Sequence, residues 1–268
     1  MPAETKIAQE ILNAEILNTK EVSVHFGGLR AVEKVDMSVR RGTIHGIIGP
    51  NGAGKTTLFN ALTGFQKLTA GKIFFRGADI TGLPPEKIAA RGMSRTFQNI
   101  KLFSALSVLE NVRTGFHSKL KTGLFDALFH TFAYKRDESF ATEKGLEILE
   151  WVGLRDQAET RAANLAYGTR RKLEIARALA LDPDILLLDE PAAGMNPVET
   201  KELMKLIQVI NETGRTIVVI EHDMKLIMNV CDYITVLNQG VKICEGPPSH
   251  IRKDPRVIEA YLGRSHSA

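Results

Sequence analysis

The chain has no apolar run approaching the roughly 20 residues that a bilayer-spanning helix needs, so any membrane pathway it serves is expected to be built by other polypeptides. Near the first methionine, Glu4, Glu10 and Glu15 are unlike the charged-then-apolar layout of a secretory leader, and a soluble chain is expected. Cysteine is scarce. Cys231 and Cys244 are widely spaced, form no CxxC pattern and have no clustered histidines, which argues against a disulfide framework and a cysteine metal site and points to a reducing cytoplasm. The balance of 35 basic against 31 acidic residues lacks the clustered positive charge of nucleic-acid binders, so no nucleic-acid partner is expected. The slight basic excess suits work beside an anionic membrane surface. There is no internal repeat and no low-complexity linker, and 268 residues suffice for one large core, or one domain with a helical insertion.

What is present is a change of hydrophobic period along the chain. Val22, Val24 and Phe26, then Val35, Met37 and Val39, alternate with polar residues and predict two half-buried strands before a turn at Arg41-Gly42. A short apolar strand, Thr43 to Ile48, runs into a glycine-rich loop and then a helix from Lys55 to Leu62. Another strand is expected at Ile73 to Phe75, and Pro84-Pro85-Glu86 opens a helix with proline in its first turn. Residues 104–163 lose the alternation and carry apolar residues at helical spacing, as at Leu146, Leu149 and Val152, which predicts an inserted helical subdomain. Helix and buried strand then alternate: helix 169–181, strand Ile185 to Asp189, helix 198–210, strand Thr216 to Ile220. Such βαβ units predict an α/β fold with a largely parallel sheet, here with an antiparallel edge from the first strands. A hairpin, Asp232 to Leu237 and Val241 to Cys244, precedes a helical tail over 247–268, the whole of 1–268 forming one domain.

Gly49-Pro50-Asn51-Gly52-Ala53-Gly54-Lys55-Thr56-Thr57 fits the G-x4-G-K-[ST] phosphate-loop pattern in the required strand-to-helix setting. Glycines let successive N–H groups turn inward, and the following helix adds its positive end, making a cradle for phosphate anions. Lys55 is expected to reach the β and γ phosphates, and Thr56 to ligate Mg²⁺ through its hydroxyl. The apolar strand Ile185 to Leu188 delivers Asp189 and Glu190 at its end, where ligands gather in open α/β sheets. Asp189 is a candidate Mg²⁺ ligand and Glu190 a candidate general base for the attacking water.

Between these motifs lies Asn164-Leu165-Ala166-Tyr167-Gly168-Thr169, a glycine-bearing turn opening a helix, which resembles the signature segment of ABC ATPases. The resemblance extends along the chain and implies roles for further residues. Gln98 matches the family's glutamine loop, which contacts Mg²⁺ and the attacking water; Asn196 matches the loop that communicates across the dimer; His222 matches the switch histidine that reaches the γ-phosphate; Phe26 matches the aromatic that stacks on adenine. It also implies ATP as substrate and a head-to-tail pair in which Leu165, Ala166, Tyr167 and Gly168 close over the partner's nucleotide. The usual Leu-Ser-Gly-Gly-Gln is modified, with Ala166 at the serine position, Tyr167 at the first glycine and Thr169 at the glutamine. Ala166 lacks a hydroxyl donor, worth on the order of 1.5 to 3 kcal/mol toward a charged group, so weaker closure or slower hydrolysis is expected.

Leu165 to Gly168, Pro191 to Pro197, Ile220 to Met224 and Ala260-Tyr261-Leu262-Gly263 are similar to the branched-chain amino-acid import subgroup. That likeness implies leucine, isoleucine and valine as cargo, integral permease subunits, a substrate-binding protein and a place on the cytoplasmic face of the inner membrane. A lipopolysaccharide-extraction ATPase has a similar Tyr-Gly signature and Tyr-Leu-Gly ending, and is the alternative cargo system. A soluble ABC mechanoenzyme resembles tandem nucleotide domains or carries long coiled-coil insertions, which this chain lacks, and a P-loop kinase leaves the signature and His222 unexplained. In the insert, Leu124, Phe125, Leu128, Phe129 and Phe132 form an apolar face that is either subdomain core or a socket for a membrane-subunit helix. Lys119, Lys121, Lys135 and Arg136 nearby form a solvated helix end or face lipid headgroups.

Overall fold

The structure, a computed structural model, describes residues 15–117 and 131–262. The early alternation forms a long hairpin, β1 (Glu15–Phe26) and β2 (Leu29–Arg40), with Val22, Val24, Val32, Val35 and Val39 fully buried on its inner face. Next come β3 (Ile44–Ile48), the glycine loop and helix α1 (Lys55–Leu62). The chain then returns to the hairpin, where β4 (Ala70–Phe75) pairs antiparallel with β1 and β5 (Ala78–Asp79) pairs with β4, giving a sheet of order β2-β1-β4-β5.

Helix α2 (Pro85–Ala89) and β6 (Met93–Arg95) lead to the insert. There α3 (Val108–Gly115) starts at a capping box of Ser107 and Glu110 and packs on α4 (Phe132–Trp151). Leu149 and Val152 are buried with Val108 and Val112, as their spacing predicts. Phe132 is 84% exposed, so it is not subdomain core; Leu124, Phe125, Leu128, Phe129, Lys119 and Lys121 lie outside the described residues. Lys135 and Arg136 are exposed near the start of α4.

Beyond the insert, α5 (Tyr167–Leu179), β7 (Ile185–Asp189), α6 (Pro197–Glu212), β8 (Thr216–Ile220), α7 (Met224–Val230), β9 (Tyr233–Asn238) and β10 (Val241–Gly246) complete a six-stranded sheet of order β10-β9-β3-β8-β7-β6. All its pairings are parallel except the β9/β10 hairpin. Both faces of this sheet are covered, which is why its strands are continuously apolar. Leu186, Leu188, Ile217 and Val219 pack under the helices, while Ile185, Leu187, Val218 and Ile220 face the hairpin sheet and α1.

One expected boundary shifts. The helix read from Thr169 begins at Tyr167, because Gly168 at its second position needs no intrahelical N–H partner and so does not break it. In its described part the tail is helical, as two helices, α8 (Pro248–Ile251) and α9 (Pro255–Leu262), split at Asp254 because a residue before proline is driven away from helical backbone. Asp254 is 7% exposed, accepts the Cys244 thiol at 3.1 Å and holds the Arg256 guanidinium at 2.7 Å, docking the tail on β10.

Candidate active site

Parallel pairing puts the carboxyl ends of β3, β8, β7 and β6 side by side on one edge of the sheet. From that edge the chain releases, in spatial order, the glycine loop, Glu221-His222, Asp189-Glu190 and the segment reaching Gln98. A cleft of about 810 Å³ opens there, lined among others by Phe26, Asn51 to Thr57, Gln98, Glu190 and His222. Residues from position 26 to position 239 thereby face one space.

In the loop, Gly54 has φ 96°, and a Cβ there would collide with the Ala31 carbonyl, so only glycine fits at the turn into α1. The first helical bond runs from the Leu58 N–H to the Gly54 carbonyl, which leaves the N–H groups of Lys55, Thr56 and Thr57 ahead of it at the positive helix end. The buried Lys55 ammonium donates to the carbonyls of Gly49 at 2.8 Å and Pro50 at 3.1 Å, so those two residues shape the cradle from behind the cleft lining. Phe26 ends β1 at 48% exposure and lines the cleft, presenting a ring to it instead of joining the core.

Glu190 has φ 45°, a left-handed conformation uncommon for a residue with a side chain and typical of sites where geometry is imposed by function. The Gln98 side-chain amide donates to the Glu190 carboxylate at 3.1 Å, so these two groups meet in the cleft. Asp189 lies just behind, 2% exposed, with one carboxylate oxygen 3.0 Å from Arg95. Burial raises the Asp189 pKa and the Arg95 charge pulls it back. The His222 imidazole is largely exposed to the cleft, 3.8 Å from the buried Glu221. Glu221 accepts the Ala192 N–H at 2.8 Å, and burial pushes its carboxyl above the usual range.

The signature segment and Asn196 do not line this cleft. They form a second surface, where the Tyr167 ring lies against Gly194 and the Glu199 carboxylate against Gly168. Leu165 is buried and anchors the segment, Ala166 caps α5 without a side-chain bond, and the N–H groups of Tyr167, Gly168 and Thr169 precede the first helical bond, from Arg170 to the Ala166 carbonyl. Asn196 accepts the N–H groups of Val198 and Glu199 in a capping box that starts α6. Sequence reading missed Leu29, Arg30, Ala31 and Gln239, which line the cleft, since nothing local distinguishes them from other hairpin residues. It also missed the buried Arg171 and Glu174, although two charged residues on the apolar face of α5 were a visible signal.

The ABC transporter family model matches residues 32–193, and that of the branched-chain amino acid ATP-binding cassette transporter matches residues 241–267. The high-affinity branched-chain amino acid transport ATP-binding protein LivG of Salmonella typhimurium is 48% identical, covering 95% of this chain and 100% of LivG. Among solved structures, the ADP conformation of an ABC transporter cassette superposes with a TM-score of 0.81 at 33% identity, over 93% of this chain and 99% of that one. A dimeric cassette in a post-hydrolysis state bound to ADP and Pi gives 0.73 at 25% identity, over 87% and 99%. On these matches the chain belongs to the ABC transporter family, as an ATP-binding and ATP-hydrolysing subunit of the branched-chain amino acid group.

Proposed function

We propose that this ATPase works as half of a head-to-tail pair of cassettes, docked on integral permease subunits at the cytoplasmic face of the membrane, and energises uptake of branched-chain amino acids. The observation that carries the cargo is 48% identity to a branched-chain amino acid transport protein along that relative's whole length. No described helix is long and apolar enough to cross a membrane, which fits a pathway supplied by separate subunits.

In the cleft, the cradle N–H groups and Lys55 bind the phosphates, and the exposed Phe26 ring offers a stacking face to adenine. The oxygen donors available suit a hard divalent cation: the Thr56 hydroxyl, the Asp189 oxygen not held by Arg95, and the Gln98 amide oxygen, whose NH₂ is used by Glu190. Mg²⁺ held by these residues would neutralise charge on the β and γ phosphates. Glu190 takes the proton of the attacking water, Gln98 orients that water, and His222 donates to the γ-phosphate. The signature surface acts on the other nucleotide of the pair, through the N–H groups of Tyr167, Gly168 and Thr169 and the positive end of α5. Asn196, by starting α6, fixes the loop between Glu190 and that surface.

Because ATP binds the closed pair better than the open one, its binding closes the pair and hydrolysis reopens it. The test is ATP hydrolysis by the chain assembled with its membrane subunits and substrate-binding protein. Leucine, isoleucine or valine should raise the rate; stimulation by lipid alone would overturn the cargo.

A further inference from the structure

Arg171 and Glu174 are each 1% exposed and lie on α5, within two turns of Gly168. The Arg171 guanidinium donates to the Phe97 carbonyl at 2.7 Å and to the Gln98 carbonyl at 2.6 Å. Glu174 holds the same guanidinium at 3.0 Å and accepts the Phe97 N–H at 3.3 Å. At this point the chain has left the sheet: β6 ends at Arg95 and its last rung to β7 is the Thr96 N–H to the Leu187 carbonyl. The backbone groups of Phe97 and Gln98 need partners once strand pairing stops, and the buried ion pair supplies them. A buried ion pair is by itself weak evidence of stability, and what this one holds is the backbone at Phe97 and Gln98. At the other end, Arg171 lies 3.4 Å from the Tyr167 hydroxyl and 6.0 Å from its ring centroid, on the signature turn.

We propose that Arg171, oriented by Glu174, is a positioning residue that holds Gln98 in place against Glu190 and ties it to the signature turn. The inference rests on the reading of Gln98 and Glu190 given above. One rigid planar fork then joins the surface offered to the partner's nucleotide to the glutamine of the chain's own cleft, so a shift of the α5 N-terminus is carried to Gln98 by direct hydrogen bonds.

Arg171→Lys keeps the buried charge beside Glu174, but a single ammonium cannot reproduce the two-pronged grip on both carbonyls. Hydrogen exchange of the full chain should show amides 96–101 opening about tenfold faster, and the assembled transporter should lose about tenfold in kcat with the KM for ATP within about twofold. In a Gln98→Ala background the same substitution should lower kcat by less than about twofold, because the group it positions is gone. Unchanged exchange at 96–101 would overturn the clamp. Losses that multiply would overturn its action through Gln98. Wild-type kcat in Gln98→Ala alone removes the catalytic reading of that residue, while faster exchange in Arg171→Lys still supports the clamp. Should Arg171→Lys not fold, Glu174→Gln serves in its place: it keeps the Phe97 acceptor, unpins the guanidinium, and is held to the same two readouts.

Discussion

Glu190 combines a left-handed backbone, a place in the cleft and a hydrogen bond from Gln98, three properties that Asp189 next to it lacks. Glu190→Gln keeps the shape but removes the proton acceptor; ATP affinity should hold while turnover falls about 10²- to 10⁴-fold, measured by nucleotide binding and steady-state hydrolysis. Near-normal hydrolysis would refute Glu190 as the base. Glu221 makes a different prediction, because burial raises its pKa. The folded protein holds that proton more tightly than the unfolded chain, so the stability it contributes is fully present below the ordinary glutamate range and is lost as pH rises through the folded value. Glu221→Gln keeps the acceptor for Ala192 without a charge. Denaturant unfolding at pH 5 and pH 8 should therefore show the variant gaining on the wild type at the higher pH, and a constant difference would refute the buried charge as the cause.

Among the elements, α5 carries the most consequence, since one end bears the signature turn and its buried face grips Phe97 and Gln98. Its cap, Ala166, makes no side-chain bond. Ala166→Ser adds an N-cap acceptor and should stabilise the isolated chain by about 1 kcal/mol, read by thermal unfolding. If the hydroxyl also reaches nucleotide, the ATP-bound pair tightens as well; a stability gain with unchanged association would mean the backbone does the binding. α5 starts two residues before the Thr169 expected from the sequence, because at the second helical position the Gly168 N–H is spare. Asn196, expected from the family likeness to communicate across a dimer, caps α6. Periodicity located the parallel strands well, since a five-residue strand buried on both faces has little other reading, as at Ile185–Asp189 and Thr216–Ile220. It could not separate core from exposed positions on α4, where Phe132 falls at the apolar spacing yet lies open at the first residue of the helix.

At the scale of the molecule, the cleft beside the glycine loop and the surface bearing the signature segment are separate faces of one chain. The proposed pairing, in which each complete site is built from one of each, would make hydrolysis by purified cassettes second order: specific activity should rise with protein concentration until pairing saturates. Activity per molecule that is constant on dilution would overturn the shared site. By itself the sequence determined the phosphate loop, the acidic strand end, the α/β class and the family likeness, because these rest on local spacing and on backbone needs that only certain residues meet. Tertiary structure decided the rest. Strand order places His222 between the loop and Glu190, and it brings Arg30 and Gln239 into the cleft. It ties Asp189 to Arg95 and seats Arg171 on the Gln98 backbone. Those arrangements depend on which strand lies beside which, and pairings between residues 73 and 94 positions apart leave no periodic trace in the chain.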